Sequence, residues 1–267
     1  MLLNNKKCSN CNGYYDPTLF ECPECHKRNE LYDDKAFPTK VVFFHPVAQI
    51  GLFVCGFAYI GMLISELIAS LFVGFISQDE LLQNALVLLL TYLMMYVGLM
   101  AIALSTRRDT FFNRFKRPFD YLIGLGYSGL IVGGALVASL IVSFFYNGAN
   151  NANQSAAIEI SKNYPILAAF VLCVLGPICE EMTYRVGLYS FLRRINKYLA
   201  MIVTILVFAL IHFDFFADDL INELWSLPTY LICGFILTLA YERHGPACSM
   251  TAHLFYNIFA FVMILLA

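Results

Sequence analysis

Charge is scarce in this sequence. Of its 267 residues only 13% are Asp, Glu, Lys or Arg, while 60% are hydrophobic. A soluble domain carries about 25% charged residues, so a soluble globular protein is excluded and an integral membrane protein is expected. The net charge of −2 leaves no basic surplus for nucleic acid. Histidine is also sparse, at five residues, so the position of each one matters. No secretory leader is expected, because the first 45 residues are polar and cysteine-bearing. No internal repeat is visible, which removes the inverted-repeat signature of many transporters.

Cysteine, at nine residues, falls into two groups. Cys55, Cys173, Cys179, Cys233 and Cys248 are scattered through apolar segments, where a thiol behaves as a small buried hydrophobe. Cys8-x-x-Cys11 and Cys22-x-x-Cys25 crowd the start of the chain. Each CxxC puts two sulfurs on one tight turn, and two such turns complete a tetrahedral zinc site. A segment this small has no core of its own, so structural zinc would hold its fold. Two disulfides would need an oxidising compartment. A redox CxxC would need a surrounding βαβ pattern, and none is present. His26 adjoins the last cysteine as a substitute ligand, although four thiolates suffice. The expected division is a zinc ribbon over 1–35, a linker over 36–45 and a transmembrane domain over 46–267.

Seven apolar stretches follow, each set against the roughly 20 residues a helix needs to cross a bilayer. They are 46–76, 81–104, 119–146, 165 onwards, 198–212 (short), 225–241 and 246–267. The expected fold is an all-α polytopic membrane bundle of about seven transmembrane helices behind the small ribbon. Gly133-Gly134 in the third stretch would let helices approach closely. Asn147–Tyr164, polar and rich in asparagine, is expected to be a flexible external loop. Basic residues gather in alternate loops (Arg107, Arg108, Arg114, Lys116 and Arg117; Arg193, Arg194 and Lys197; Arg243), while 213–226 is acidic. That asymmetry places the N-terminus in the cytosol and the C-terminus outside.

Ionisable groups inside a span are costly, at least ~2.5 kcal/mol for a charged carboxylate at a helix centre. Yet Glu180 and Glu181 end a charge-free run from Pro165 to Cys179. Arg185 lies four residues beyond Glu181, on the same helix face. Glu180 would lie about 100° round the helix, so one carboxylate can be neutralised while its neighbour faces a cavity. Phe208-x-x-x-His212 and His253-x-x-x-Asn257 add two imidazoles and an amide at one-turn spacing. Glu66 stands alone in the first stretch and is taken as structural. Singly, each of these has a packing explanation. Together they supply a carboxylate base, two imidazoles and an amide donor, the groups of a hydrolytic site. One Glu and two His are also a metal-ligand set with an open fourth position, and a catalytic divalent metal at Glu180, His212 and His253 stays open. Depth fits only in part. Counted at ~1.5 Å per residue, Glu180 and His253 lie towards the cytosolic side and His212 towards the outer one.

The ordered motifs Glu180-Glu181-x-x-x-Arg185, Phe208-x-x-x-His212 and His253-x-x-x-Asn257 resemble those of the CPBP family (CAAX protease and bacteriocin-processing, also called Abi), similar to the type II CAAX prenyl endopeptidases. The resemblance covers 165–267 and implies an intramembrane peptidase. It implies that Glu180 with His212 activates water, that His253 and Asn257 stabilise the oxyanion, and that Glu181, Arg185 and Phe208 support them. The expected partners are a peptide or membrane-protein substrate and the lipid bilayer, in the bacterial plasma membrane, with the ribbon's partner open. The alternative is a non-catalytic immunity or scaffold protein that acts by binding. A proton-coupled transporter is a third reading, disfavoured by the missing repeat.

Overall fold

The structure, a computed structural model, describes residues 6–15, 22, 24, 25, 27, 41–146, 148 and 150–267. His26, residues 36–40 of the expected linker and most of the expected ribbon beyond residue 15 lie outside the described residues. Residues 6–15 contribute a two-residue antiparallel pair, β1 (Lys6–Lys7) and β2 (Tyr14–Tyr15). The rest is helical: α1 (Pro46–Gly56), α2 (Leu63–Val73), α3 (Glu80–Asn113), α4 (Pro118–Phe145) and α5 (Ala152–Asn163). Then come α6 (Pro165–Arg193), α7 (Lys197–Leu210), α8 (Leu220–His244) and α9 (Pro246–Leu266).

All seven apolar stretches form helix, but fewer than seven are long enough to span. Helices α3, α4, α6, α8 and α9 pass on length and hydropathy. The first stretch is broken. Pro46–Gly56 and Ile60–Val73 meet at 57° and count as a sixth span only if taken together. The seventh candidate, α7, has 14 residues, about 21 Å of helix against a ~30 Å hydrocarbon core. Asn196 caps its start, accepting the Tyr198 and Leu199 amides. The chain leaves the helix after Leu210, so His212 lies in the turn beyond it.

The bundle is built round α6. Its apolar window is 56% buried, against 33% or less in the other spans. Helix α1 packs along its second half, α4 packs against α8 and α9, and α2 against α3. Gly134 meets Ile232 of α8, while its neighbour Gly133 faces open space. Leu67 and Leu71 of α2 and Leu140 and Phe144 of α4 are exposed on the outer faces, as bilayer-facing side chains are. Gly245, at φ 85°, joins α8 to α9 with no intervening loop. Pro246 then opens α9, where its missing N–H costs nothing. This sharp join brings His253 back into the bundle.

One expectation fails outright. The Asn147–Tyr164 segment is mainly helix α5, capped by Asn151 accepting the Gln154 amide. Its Ile160 packs in a cluster with Ala85 and Ala168. Asn151, one of the asparagines that suggested a loop, serves at the helix end instead, where Asn is a preferred cap. Residues 41–44, just before α1, are buried against the bundle; the Val42 amide donates to the Tyr241 hydroxyl at 3.1 Å.

Candidate active site

Pro177 shapes the helix that carries the carboxylates. It has no amide hydrogen, and its ring crowds the carbonyl one turn earlier. The helix widens there: Val171–Leu175 is π-helical, and the Gly176 amide bonds to the Val171 carbonyl, five residues back. A second π stretch, Glu181–Tyr189, begins at the second glutamate. Such turns are rare and concentrate at functional sites.

The two glutamates have separate environments. The Glu181 side chain is 0% exposed and that of Glu180 is 16% exposed. Glu181 Oε1 lies 3.0 Å from Arg185 Nη1, and Arg185 is itself fully buried. The guanidinium sits 4.4 Å above the centre of the Phe208 ring, an arrangement worth ~2 kcal/mol when desolvated. Among the described residues the Arg185 nitrogens make no hydrogen bond of good alignment. The ion pair and the ring therefore carry the cost of burying that charge.

Each histidine has one nitrogen engaged. His253 Nδ1 is 3.1 Å from Glu181 Oε1. A carboxylate ionised beside arginine only accepts, so Nδ1 carries the proton. Nε2 then faces the other carboxylate, 3.8 Å from Glu180 Oε2. His212 Nδ1 lies 2.8 Å from the Phe208 carbonyl. A carbonyl also only accepts, so Nδ1 donates and Nε2 is left for the site. The Phe208 ring contacts both imidazoles, with centroids 5.0 Å from His212 and 6.0 Å from His253. The residue that the depth count set apart is thus brought to the others. Asn257 lies one turn beyond His253 and donates through Nδ2 to the Leu172 carbonyl at 2.8 Å. Its second amide hydrogen remains for another acceptor.

Some neighbours escaped the sequence reading. Tyr92 of α3 and Tyr184 of α6 lie close enough to Glu180 to feel its charge. Tyr230 of α8 stacks on His212, with centroids 4.4 Å apart and planes at 19°. A tyrosine in an apolar run gives no sequence signal of this kind.

The cysteines form the second cluster. Cys8, Cys11, Cys22 and Cys25 are free thiols whose sulfurs all lie within 4.8 Å of one another. Cys8 and Cys25 are 3.5 Å apart, and Cys11 and Cys22 3.6 Å. A tetrahedron of ~2.3 Å Zn–S bonds has edges of about 3.8 Å, so four thiolates here can hold a metal ion. Glu180, His212 and His253 form no such compact group among the described residues. Their types suit a divalent metal, with each Nδ1 held by an oxygen as in metal-bound histidines, but their ligand atoms are spaced more widely than the thiolates.

Comparison with known proteins finds the same region. Residues 162–259 match the family model described as "Type II CAAX prenyl endopeptidase Rce1-like". The chain is 25% identical over 149 residues to the UPF0177 protein YvdC of Lactococcus lactis, covering 55% of this chain and 53% of that protein. It is 28% identical over 163 residues to the membrane-embedded CAAX protease MroQ of Staphylococcus aureus, covering 57% and 62%. It is 24% identical over 172 residues to the UPF0177 protein YxdF of Lactococcus lactis, covering 64% and 90%. The chain therefore spans less than two thirds of the first two relatives. No solved structure matches. All three motifs, from Glu180 to Asn257, fall inside the matched stretch, so the part of this integral membrane protein that is similar to the Rce1-like family is the part whose motif order led us to expect that likeness.

Proposed function

We propose that this chain is an intramembrane endopeptidase that hydrolyses a peptide bond in a membrane-associated peptide or protein. The observation that carries the reading is the unequal environment of the two carboxylates. Glu181 is buried against Arg185, while Glu180 is the more open, with His253 Nε2 3.8 Å from its Oε2. The CAAX protease named among the relatives supports the same class.

In this mechanism water sits between Glu180 and His212 Nε2. Glu180 takes a proton from it as general base. The hydroxide bonds to the substrate carbonyl carbon, and the carbonyl π electrons move onto oxygen. His253, protonated also on Nε2, and the free N–H of Asn257 donate to that oxyanion. One such donor is worth ~3–4 kcal/mol in known enzymes. Glu181, 3.1 Å from Nδ1, stabilises the His253 imidazolium. The carbon–nitrogen bond then breaks, and Glu180 returns its proton to the leaving amine. A divalent metal bound by Glu180, His212 and His253 would supply Lewis-acid activation of the same water.

The proposed organisation is a zinc ribbon over 1–35, a linker over 36–45 and the protease domain over 46–267. The basic loops put the ribbon on the cytosolic side and the C-terminus outside, in a bacterial plasma membrane. The test uses purified protein in nanodiscs with a pool of quenched hydrophobic peptides in ¹⁸O-water. Hydrolysis puts ¹⁸O into each new carboxylate, and Glu180→Gln abolishes the signal. Equal cleavage by Glu180→Gln would contradict the reading.

A further inference from the structure

Glu223 lies outside the three motifs, yet it is 2% exposed in the first turn of α8. Its two oxygens serve two different segments. Oε1 accepts the Ala152 amide at 2.8 Å, at the first residue of α5. Oε2 accepts the Asp214 amide at 3.1 Å, two residues after His212. Asn151 is equally buried and also joins the two. Its Oδ1 caps α5, and its Nδ2 donates to the His212 carbonyl and to the Ser226 hydroxyl, each at 3.2 Å. The Tyr230 hydroxyl donates to Asn151 Oδ1 at 3.4 Å, while its ring stacks on His212.

A helix cap alone does not require this arrangement. Asn151 Oδ1 already caps α5, and a buried carboxylate costs several kcal/mol unless its hydrogen bonds are made. Glu223 makes them to backbone amides of both segments, and charge-assisted bonds of this kind are the strong ones. The arrangement holds the backbone of the turn after α7, while Phe208 and Tyr230 contact the His212 ring.

We propose that Glu223 and Asn151 are positioning residues for His212, clamping α5 onto the 211–214 turn so that the imidazole is held with its Nε2 left for the site. This rests on the reading of His212 as the group that holds the attacking water. A shift of about 1 Å at such a group costs up to ~100-fold in rate.

The test uses the full chain in nanodiscs with ¹⁵N-labelled histidine, and compares wild type with Glu223→Gln and Asn151→Ser. A glutamine has one acceptor oxygen where the carboxylate has two. A serine still caps α5, but it is too short to reach the His212 carbonyl. Two quantities are read: the His212 ring nitrogen shifts, and kcat and KM for the best-cleaved peptide of the pool above. We expect the wild-type ring to show the Nδ1–H tautomer and each variant a mixture. We expect kcat to fall roughly tenfold with KM within about twofold, and the His253 signals to stay. Unchanged His212 signals and unchanged kcat in both variants would overturn the proposal. If Glu223→Gln fails to fold, Asn151→Ser decides alone. If wild type cleaves nothing, the protease reading fails, and the ring signals still decide the clamp: mixed tautomers in the variants uphold it and unchanged ones overturn it.

Discussion

His253 Nδ1 donates to Glu181 Oε1 across 3.1 Å, inside a site from which the Glu181 side chain has no exposure. The same oxygen is the ion-pair partner of Arg185. Glu181 is thus a joint between a structural charge and a site imidazole. Removing it strands a buried guanidinium, which typically costs 3–5 kcal/mol. Glu181→Ala is therefore expected to lower the thermal midpoint in detergent sharply. Glu180→Ala, which frees no buried partner of opposite charge, is expected to melt within a few degrees of wild type while losing activity. Two similar midpoints would contradict the assigned division of labour.

Phe208 is expected to act through what lies on either side of it. Its ring covers Arg185 and touches both imidazoles. Phe208→Leu keeps most of the bulk and removes the quadrupole, for a loss of ~2 kcal/mol in stability and a reduced kcat. Phe208→Tyr keeps the ring face and is expected to retain more activity. Denaturant melts and peptide cleavage check both, and a leucine variant as stable and active as wild type would remove the ring from the account.

Helix contact in the membrane is expected to depend on one glycine and to ignore another. A Cβ at Gly124 would sit 2.7 Å from the Thr251 Cβ and 2.8 Å from the Cys248 carbonyl oxygen, pushing α4 off α9. A Cβ at Gly133 would meet nothing within 4 Å. Gly124→Ala is expected to destabilise by ~1–3 kcal/mol, as overpacking does. Gly133→Ala is expected to be neutral or slightly stabilising, since alanine is the better helix former. Thermal melts of the two variants side by side give the answer.

The ribbon is expected to bind one zinc per chain, lost on replacing Cys22 and Cys25 by serine. Mass spectrometry of the native protein counts it. Hydrogen bonds from the Asn10 side chain and the Lys27 backbone hold the Cys25 thiol down to about 6. For Cys11 the Gly13 amide lowers it, but local desolvation and the neighbouring thiols push it up to about 12. Metal binds thiolate. A Cys25 held near 6 enters the site as thiolate at neutral pH, whereas Cys11 must lose its proton to solvent as it takes the metal. Zinc binding is therefore expected to release protons, and to weaken further as pH falls through about 6, where Cys25 takes its proton back. Retention of zinc well below that pH with unchanged affinity would contradict the thiolate set.

Much of the site was legible because its residues stand out against apolar surroundings. Glu180, Glu181, Arg185 and the two histidines are costly in a bilayer, and that cost is visible without a structure. One-turn spacing also gave the Glu181–Arg185 pair directly. The local widening of α6 was not legible, because it depends on how Pro177 is accommodated among neighbours. Nor was the place of His212. Counting α7 as continuous through 212 carried the residue to the outer side, whereas the helix stops at Leu210 and the chain turns. Helix α5 was hidden by its asparagines, which suit loops and helix caps alike. Glu223 looked like one acid among several in a loop, and only its two backbone partners set it apart.

The most direct test compares cells carrying wild type with cells carrying Glu180→Ala at matched membrane levels, mapping peptide termini across the proteome. The account predicts new termini only with wild type, and these name the substrate and the cleavage rule together. Identical termini, in a setting where deleting the gene has a phenotype that Glu180→Ala rescues, would contradict catalysis and leave a protein that acts by binding.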